Sequence, residues 1–307
     1  MNPNEQQQKT ENKQTAPKAP RGARRAGIKE GGKVPSRVGV LVECAMLLAL
    51  ATVLSLVKLI DLPYGGSVTV ASAMPMVILA YRHGWRWGLG CGLAWALIQQ
   101  LTGLSTLSYF TTWQSIVAVI LLDYVVAFAL VGVSGVFRRW VKNGSVCLMA
   151  GGLFFSVLRY LCHTVSGCTV WAGLSIPNEA AIVYSLSYNA TYMIPETVIL
   201  LLVLGYLGAA LDLSRPIPAR RARAERGRGA FALFAAGGLC LLGGAVADVV
   251  LVFSRLQNAE SGEFDILGLS RVDWVTVGTV SGVCALLAAA LFVGGVLWSR
   301  RKMAKNG

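Results

Sequence analysis

A chain of 307 residues that is 55% hydrophobic, with mean hydropathy +0.59 and only 14% charged side chains, is composed like a protein of the bilayer and not like a soluble domain. The net charge of +13 would point to nucleic acid in a soluble protein; here its placement follows membrane topology, so no nucleic-acid partner is expected. Seven cysteines are scattered through apolar segments with no CxxC pair, which argues against a zinc site or a disulfide framework, and no cofactor is expected.

Residues 1–38 are rich in Gln, Asn, Lys, Arg, Pro and Gly, cannot bury a core, and read as a disordered basic tail. They hold no apolar run of the kind a cleaved signal peptide carries. The first span is expected at about 39–60, long enough to cross a bilayer. Further spans follow near 68–81, 88–104, 114–137, 145–171 and 183–209. A basic linker at 213–229 leads to two more, near 230–253 and 275–298, and a basic tail at 299–307 ends the chain. The fold class is therefore an all-α polytopic membrane protein with eight spans.

Charge supports that number. With eight spans, 24 of the 28 Lys and Arg residues fall on one side: the N-terminal tail, Arg82 and Arg86, Arg138, Arg139 and Lys142, the linker from Arg215 to Arg228, and the C-terminal tail. The opposite loops hold Asp61, Glu179 and the acidic run Glu260, Glu263 and Asp265. The excess of positive charge on cytoplasmic loops places both termini in the cytoplasm of a multi-pass cell-membrane protein. DLPYGG (61–66), STLSYFTTW (105–113) and residues 171–180 then lie outside, where polar and aromatic residues concentrate.

The stretch RYLCHTVSGCTVWAGLSIPNEAAIVYSLSYN (159–189) stands out from its apolar surroundings. Ionisable groups in lipid are costly and face a bundle interior or a cavity. Arg159 and His163 are four apart and share a helix face, with Tyr160 beside them; Tyr184 and Tyr188 repeat that spacing after Pro177. Asp123, about ten residues into the fourth span, either pairs internally with Arg159 or meets a ligand. His163 reads as a core histidine or a site residue, and Trp171 as an interface-belt aromatic or part of a pocket. Asn189 is taken as pocket-lining, and Glu196, seven residues on and beyond Pro195, as structural. Glu43 and Asp248 have no assigned role. Lys58, near a helix end, is placed to snorkel. Ala45 and Ala49, with Ala51, give the first span a small face for intramolecular packing or for a partner membrane protein. Gly84, Gly88, Gly90 and Gly92 predict tight packing after the second span. No phosphate-binding loop and no HExxH or GxSxG signature is present, and the halves show no clear inverted repeat.

Residues 39–212 resemble the thiamine-specific substrate-binding component of energy-coupling factor transporters. The matching pieces are YGGSVTVASAMPMVILAYRHG, LLDYVVAFALVGVSGVF, RYLCHTVSGCTVWAG and YSLSYNATYMIPE, in the family's order and spacing. The resemblance implies a six-helix bundle, with the spans at 230–298 as a two-helix extension. It implies a thiamine pocket open to the outside, in which Asp123 meets the aminopyrimidine, Arg159 and Tyr160 form a basic-aromatic pair, and His163 and Trp171 surround the thiazolium and the linked rings. Tyr184 and Asn189 come from the sixth helix, and Tyr64 is the candidate lid aromatic. Asp123 and Arg159 stand where some relatives have Glu and Lys. A partner module of one transmembrane protein and two ATPases is implied, with Ala45 and Ala49 as the docking face. The alternatives are the same scaffold for a thiamine precursor or related vitamin, and a polytopic membrane enzyme using Asp123 and His163 as acid and base.

Overall fold

The computed structural model describes residues 36–172, 174, 181–220, 228–256 and 266–306. Most of the basic N-terminal tail, the loop bearing Pro177 and Glu179, part of the basic linker and the acidic run at 260–265 lie outside the described residues.

Helix α1 (Arg37–Leu56) begins where the Ser36 hydroxyl accepts from the Gly39 N–H, an N-cap that satisfies one orphan donor. It ends short of the expected residue 60, because the chain turns into a hairpin of β1 (Lys58–Asp61) and β2 (Ser67–Thr69), antiparallel, with Ile60 opposite Val68. Tyr64 and Gly65 turn the hairpin at φ of 64° and 99°. Such left-handed values suit glycine and strain a tyrosine, a form of strain often kept at functional positions.

The second expected span is therefore partly extended. Only α2 (Met74–His83) is helical, and its ten residues reach about 15 Å, half the hydrocarbon thickness. Gly84, at φ 87°, turns the chain into α3 (Trp85–Thr102). Neither is both long and apolar enough to cross a membrane. The other six segments are: α1, α4 (Trp113–Arg139), α5 (Gly144–Thr169), α6 (Ala181–Ala210), α7 (Arg228–Phe253) and α8 (Trp274–Asn306). Helix α6 runs through Pro195 without a break. Helix α8 continues through Arg300–Lys302, past the Trp274–Trp298 stretch that is apolar enough to cross a membrane. Asp273 caps α8. Its carboxylate accepts from the Thr276 hydroxyl at 2.6 Å and from the Val275 and Thr276 N–H groups, and these bonds, the hydroxyl's first, hold its pKa below the usual carboxylate range.

Helix α4 is not uniform. It opens as α-helix, widens into a π-helical stretch at Ile120–Val126, and tightens to 3-10 geometry from Leu130 to Arg139. The wide turn carries Asp123. The tight half packs on α2, α3 and α5. There Gly88 and Gly92 let α3 approach α4 closely: a Cβ on Gly88 would sit 2.8 Å from the Gly132 Cα, and one on Gly92 2.8 Å from the Ala129 carbonyl oxygen. Gly90 faces open space, so only two of the glycines in that run serve the contact. Gly132→Ala would drive a methyl into the α3 backbone at Gly88 and Leu89. Overpacking a contact of this kind costs about 1–3 kcal/mol or more, so this variant is expected to melt well below the parent in detergent, whereas Gly90→Ala should match it.

The core of the bundle is built from Met76, Leu79, Trp95, Val131, Leu148, Phe155, Leu200 and Leu204, all essentially buried. Trp95 meets Phe128 edge-on, centroids 5.0 Å apart. Ala51 belongs to this core, while Ala45 and Ala49 are exposed on the outside of α1; the three do not share a face. At the end bearing Arg82 and Arg138, Glu43 pairs with Arg82, whose guanidinium also donates to the carbonyls of Leu213, Arg215 and Pro216. His83 Nε2 lies 3.1 Å from Glu43 Oε2 but off hydrogen-bond direction. This cluster ties α1, the α2–α3 turn and the chain after α6 together. Asp248, the other unassigned intramembrane acid, accepts from the Ser281 hydroxyl at 2.5 Å across α7 and α8.

Candidate functional site

Helices α1, α3 and α5 end, and α4 begins, at the opposite end of the bundle from the Arg82–Arg138 cluster. Between these termini lies a cavity of about 540 Å³. Its walls come from the end of α1, from α3–α6 and from the β1–β2 hairpin.

Asp123 is its buried acid. One oxygen is 3.0 Å from His163 Nδ1; the other accepts from the Ser166 hydroxyl at 2.8 Å and the Trp171 indole N–H at 3.0 Å. Arg159 does not pair with Asp123. Its guanidinium donates to Glu196 Oε2 at 2.8 Å, and its Nε–H points at His163 Nε2, 3.3 Å away. Glu196 Oε1 accepts from the Thr69 hydroxyl on β2 at 2.6 Å. Glu196 thus lines the cavity and anchors the hairpin, which corrects its reading as merely structural. The Arg159 guanidinium also lies 4.7 Å from the Phe128 ring centroid, a cation–π contact.

The hydrogen bonds assign the charges. His163 Nε2 faces a guanidinium donor, so it accepts, and the proton sits on Nδ1 toward Asp123: the imidazole is neutral. Asp123 and Glu196 serve as acceptors, three donors facing Asp123 and the Arg159 guanidinium and Thr69 hydroxyl facing Glu196. Two carboxylates against one guanidinium leave the buried site one negative charge in excess. Lys58 and Asp61, 3.0 Å apart at the exposed mouth, cancel each other, so Lys58 is held by an ion pair.

Above Asp123 the wall is aromatic. Trp171 meets Phe110 at 4.7 Å and Tyr64 and Tyr109 at 6.0 Å each, and Tyr64 and Tyr109 are 5.3 Å apart. On α6, Asn189 is fixed by Ser185 and by the Tyr192 hydroxyl, which donates to Asn189 Oδ1 at 2.6 Å. A closed polar end carrying one net negative charge under a cluster of π faces suits a flat organic cation.

A profile of the family described as "Thiamine transporter protein" matches residues 41–213. The chain belongs to the thiamine transporter protein family. It is 35% identical over 175 residues to the thiamine transporter ThiT of Bacillus subtilis (strain 168), a stretch covering 53% of this chain and 87% of that protein. A solved structure of ThiT from Listeria monocytogenes is similar with a TM-score of 0.46 at 24% identity, over 56% of this chain and 94% of the other. Helices α7 and α8 fall beyond the thiamine transporter match.

Within this thiamine transporter domain, Asp123, Arg159, His163, Trp171, Asn189 and Tyr64 all line the cavity. Tyr160 and Tyr184 do not. The Tyr160 hydroxyl donates to the Leu186 carbonyl at 2.8 Å, bracing α5 on α6, and Tyr184 packs among apolar side chains. Residues not singled out as site members line it as well: Thr69, Tyr109, Phe128, Tyr188, Tyr192 and Glu196. Two of the α6 members could have been found from spacing, since Tyr192 and Glu196 follow Asn189 at intervals of three and four along one helix face. Thr69 and Tyr109 carry no such signal, because loops and a tertiary approach bring them in.

Proposed function

We propose that this protein captures thiamine at the outer face of the cell membrane, as the substrate-binding subunit of a vitamin importer. The observation that carries the reading is the single uncompensated carboxylate charge in a cavity walled by aromatic rings. Thiamine brings a fixed positive charge on a flat thiazolium and an aminopyrimidine that donates hydrogen bonds. The thiazolium suits the Trp171, Tyr64 and Tyr109 faces, and the excess charge of the Asp123–Arg159–Glu196 set neutralises it. The volume also fits, since small-molecule pockets run from about 300 to 1,000 Å³. Family membership supports thiamine over a precursor. Placement of Asp123 and His163 away from the basic loops supports transport over an enzyme fed from the cytoplasm.

Both termini are taken as cytoplasmic, on the one-sided distribution of Lys and Arg. Release inside is assigned to a separate module of one transmembrane protein and two ATPases. The exposed Ala45 and Ala49, where small side chains admit a close helix approach, are the proposed docking face.

Titration of the detergent-purified, ligand-free protein with thiamine should quench tryptophan fluorescence saturably, and Trp171→Phe should remove most of the signal. Absence of quenching in folded protein, with no heat of binding by calorimetry, would overturn thiamine as the ligand.

A further inference from the structure

Helices α7 and α8 lie outside the family match, yet described residues at their facing ends share an apolar cluster with the β1–β2 hairpin. A second apolar cluster, distinct from the bundle core, joins Leu62 and Val68 of the β1–β2 hairpin to Tyr188, Tyr192 and Met193 of α6. From the extension it takes Val252 and Leu256, at and just beyond the end of α7, with Leu269 and Val272 before α8. Leu256 is completely buried, and Leu62, Val68, Leu269 and Val272 nearly so.

The hairpin supplies Asp61, Leu62, Tyr64, Ser67 and Thr69 to the cavity wall. Its turn holds Tyr64 against Trp171, and Thr69 on β2 bonds Glu196. Alternation along a strand puts neighbouring side chains on opposite faces. Val68 accordingly sits in the apolar cluster while Thr69 beside it meets the cavity acid. The hairpin thus meets the site through Thr69 and, through Leu62 and Val68, joins the apolar cluster that the extension completes. Without the extension that cluster would lose Val252, Leu256, Leu269 and Val272, and lifting the hairpin would cost less.

We propose that the α7–α8 extension is a positioning element for the substrate lid: Leu256, Leu269 and Val272 hold the β1–β2 hairpin over the cavity and slow exchange of the bound molecule. The kinetic part rests on the thiamine reading; the positioning part does not. Moving the hairpin requires separating buried surfaces that pack only in the closed arrangement, so the contact adds to the barrier for release.

The test uses the full-length protein without ligand. Hydrogen–deuterium exchange of residues 58–69 is compared in the parent, in Leu256→Ala/Leu269→Ala, and in Phe292→Ala. Phe292 stacks on Phe234, centroids 6.2 Å apart, elsewhere on the α7–α8 seam. Truncating two buried leucines should speed exchange in 58–69 about tenfold or more, and Phe292→Ala should leave it unchanged. Should the double variant not fold, Val272→Ala is read the same way, with an acceleration of about threefold. In thiamine-loaded protein the same substitutions should speed release by similar factors. Unchanged exchange in folded Leu256→Ala/Leu269→Ala or Val272→Ala would overturn the proposal, as would an equal acceleration in Phe292→Ala. Failure of the parent to bind thiamine would overturn the ligand reading alone, leaving the ligand-free exchange to decide this one.

Discussion

Asp123→Asn should weaken thiamine binding by about 100-fold or more, close to 3 kcal/mol, within the range for truncating one member of a buried charge pair. Two effects act together. The substitution takes the net charge of the buried site from negative to neutral, so the thiazolium loses its counter-charge. It also leaves three donors, from His163, Ser166 and Trp171, facing a side chain with one acceptor oxygen and an amide that itself donates. Isothermal calorimetry with thiamine measures the loss, and thermal melting separates it from unfolding. An affinity within threefold of the parent would sink the charge argument.

Glu196 gives the second test, because the site charge can be removed and restored there. Glu196→Gln makes the site neutral and should weaken thiamine binding about tenfold or more. Arg159→Met/Glu196→Gln returns the site to one negative charge through Asp123 and should recover part of the lost affinity, although it removes two charged groups. Glu196→Ala should be the least stable of the set. It leaves the Arg159 guanidinium buried without its carboxylate, and breaking a buried pair from one side costs about 3–5 kcal/mol. Equal affinity in the single and double variants would show that charge at this end of the cavity does not govern binding.

Both tests depend on a pairing that the linear sequence did not reveal. Asp123 and Arg159 were the visible opposite charges, and Asp123 was expected either to pair with Arg159 or to meet a ligand. The π-helical stretch in α4 instead directs Asp123 toward His163, Ser166 and Trp171, while Arg159 reaches across to α6. Helical periodicity relates residues within one element and says nothing about which face of the next element arrives opposite. For the same reason Tyr160 and Tyr184, on the right helices and at regular spacing, turned out to brace helices without lining the cavity. Ala51, grouped with Ala45 and Ala49 as small, is six positions from Ala45 and lies on another side of the helix, in the core.

The short second segment shows a different limit. Its apolar run from Val68 to Tyr81 satisfies a hydropathy reading, yet its first residues pair with β1. Composition records how well a segment tolerates an apolar surrounding; it does not record whether its backbone bonds are made within a helix or to a neighbouring strand.

The sequence alone determined the class of molecule, the order and approximate limits of the long helices, and the separation of basic loops from the end that holds the aromatic and ionisable residues. These follow from local properties, since apolar length and the spacing of charge act on each segment independently of its neighbours. Asp123, Arg159 and His163 were also legible as cavity residues, because ionisable side chains in apolar helices are too costly to retain without partners, whereas Tyr64 was marked only by the family resemblance. Only the tertiary structure decided which carboxylate meets which base, that one negative charge is left over, and that residues flanking the C-terminal helices share an apolar cluster with the hairpin and α6. Those are properties of contacts between distant segments, and their energies depend on distance and orientation that no single segment carries.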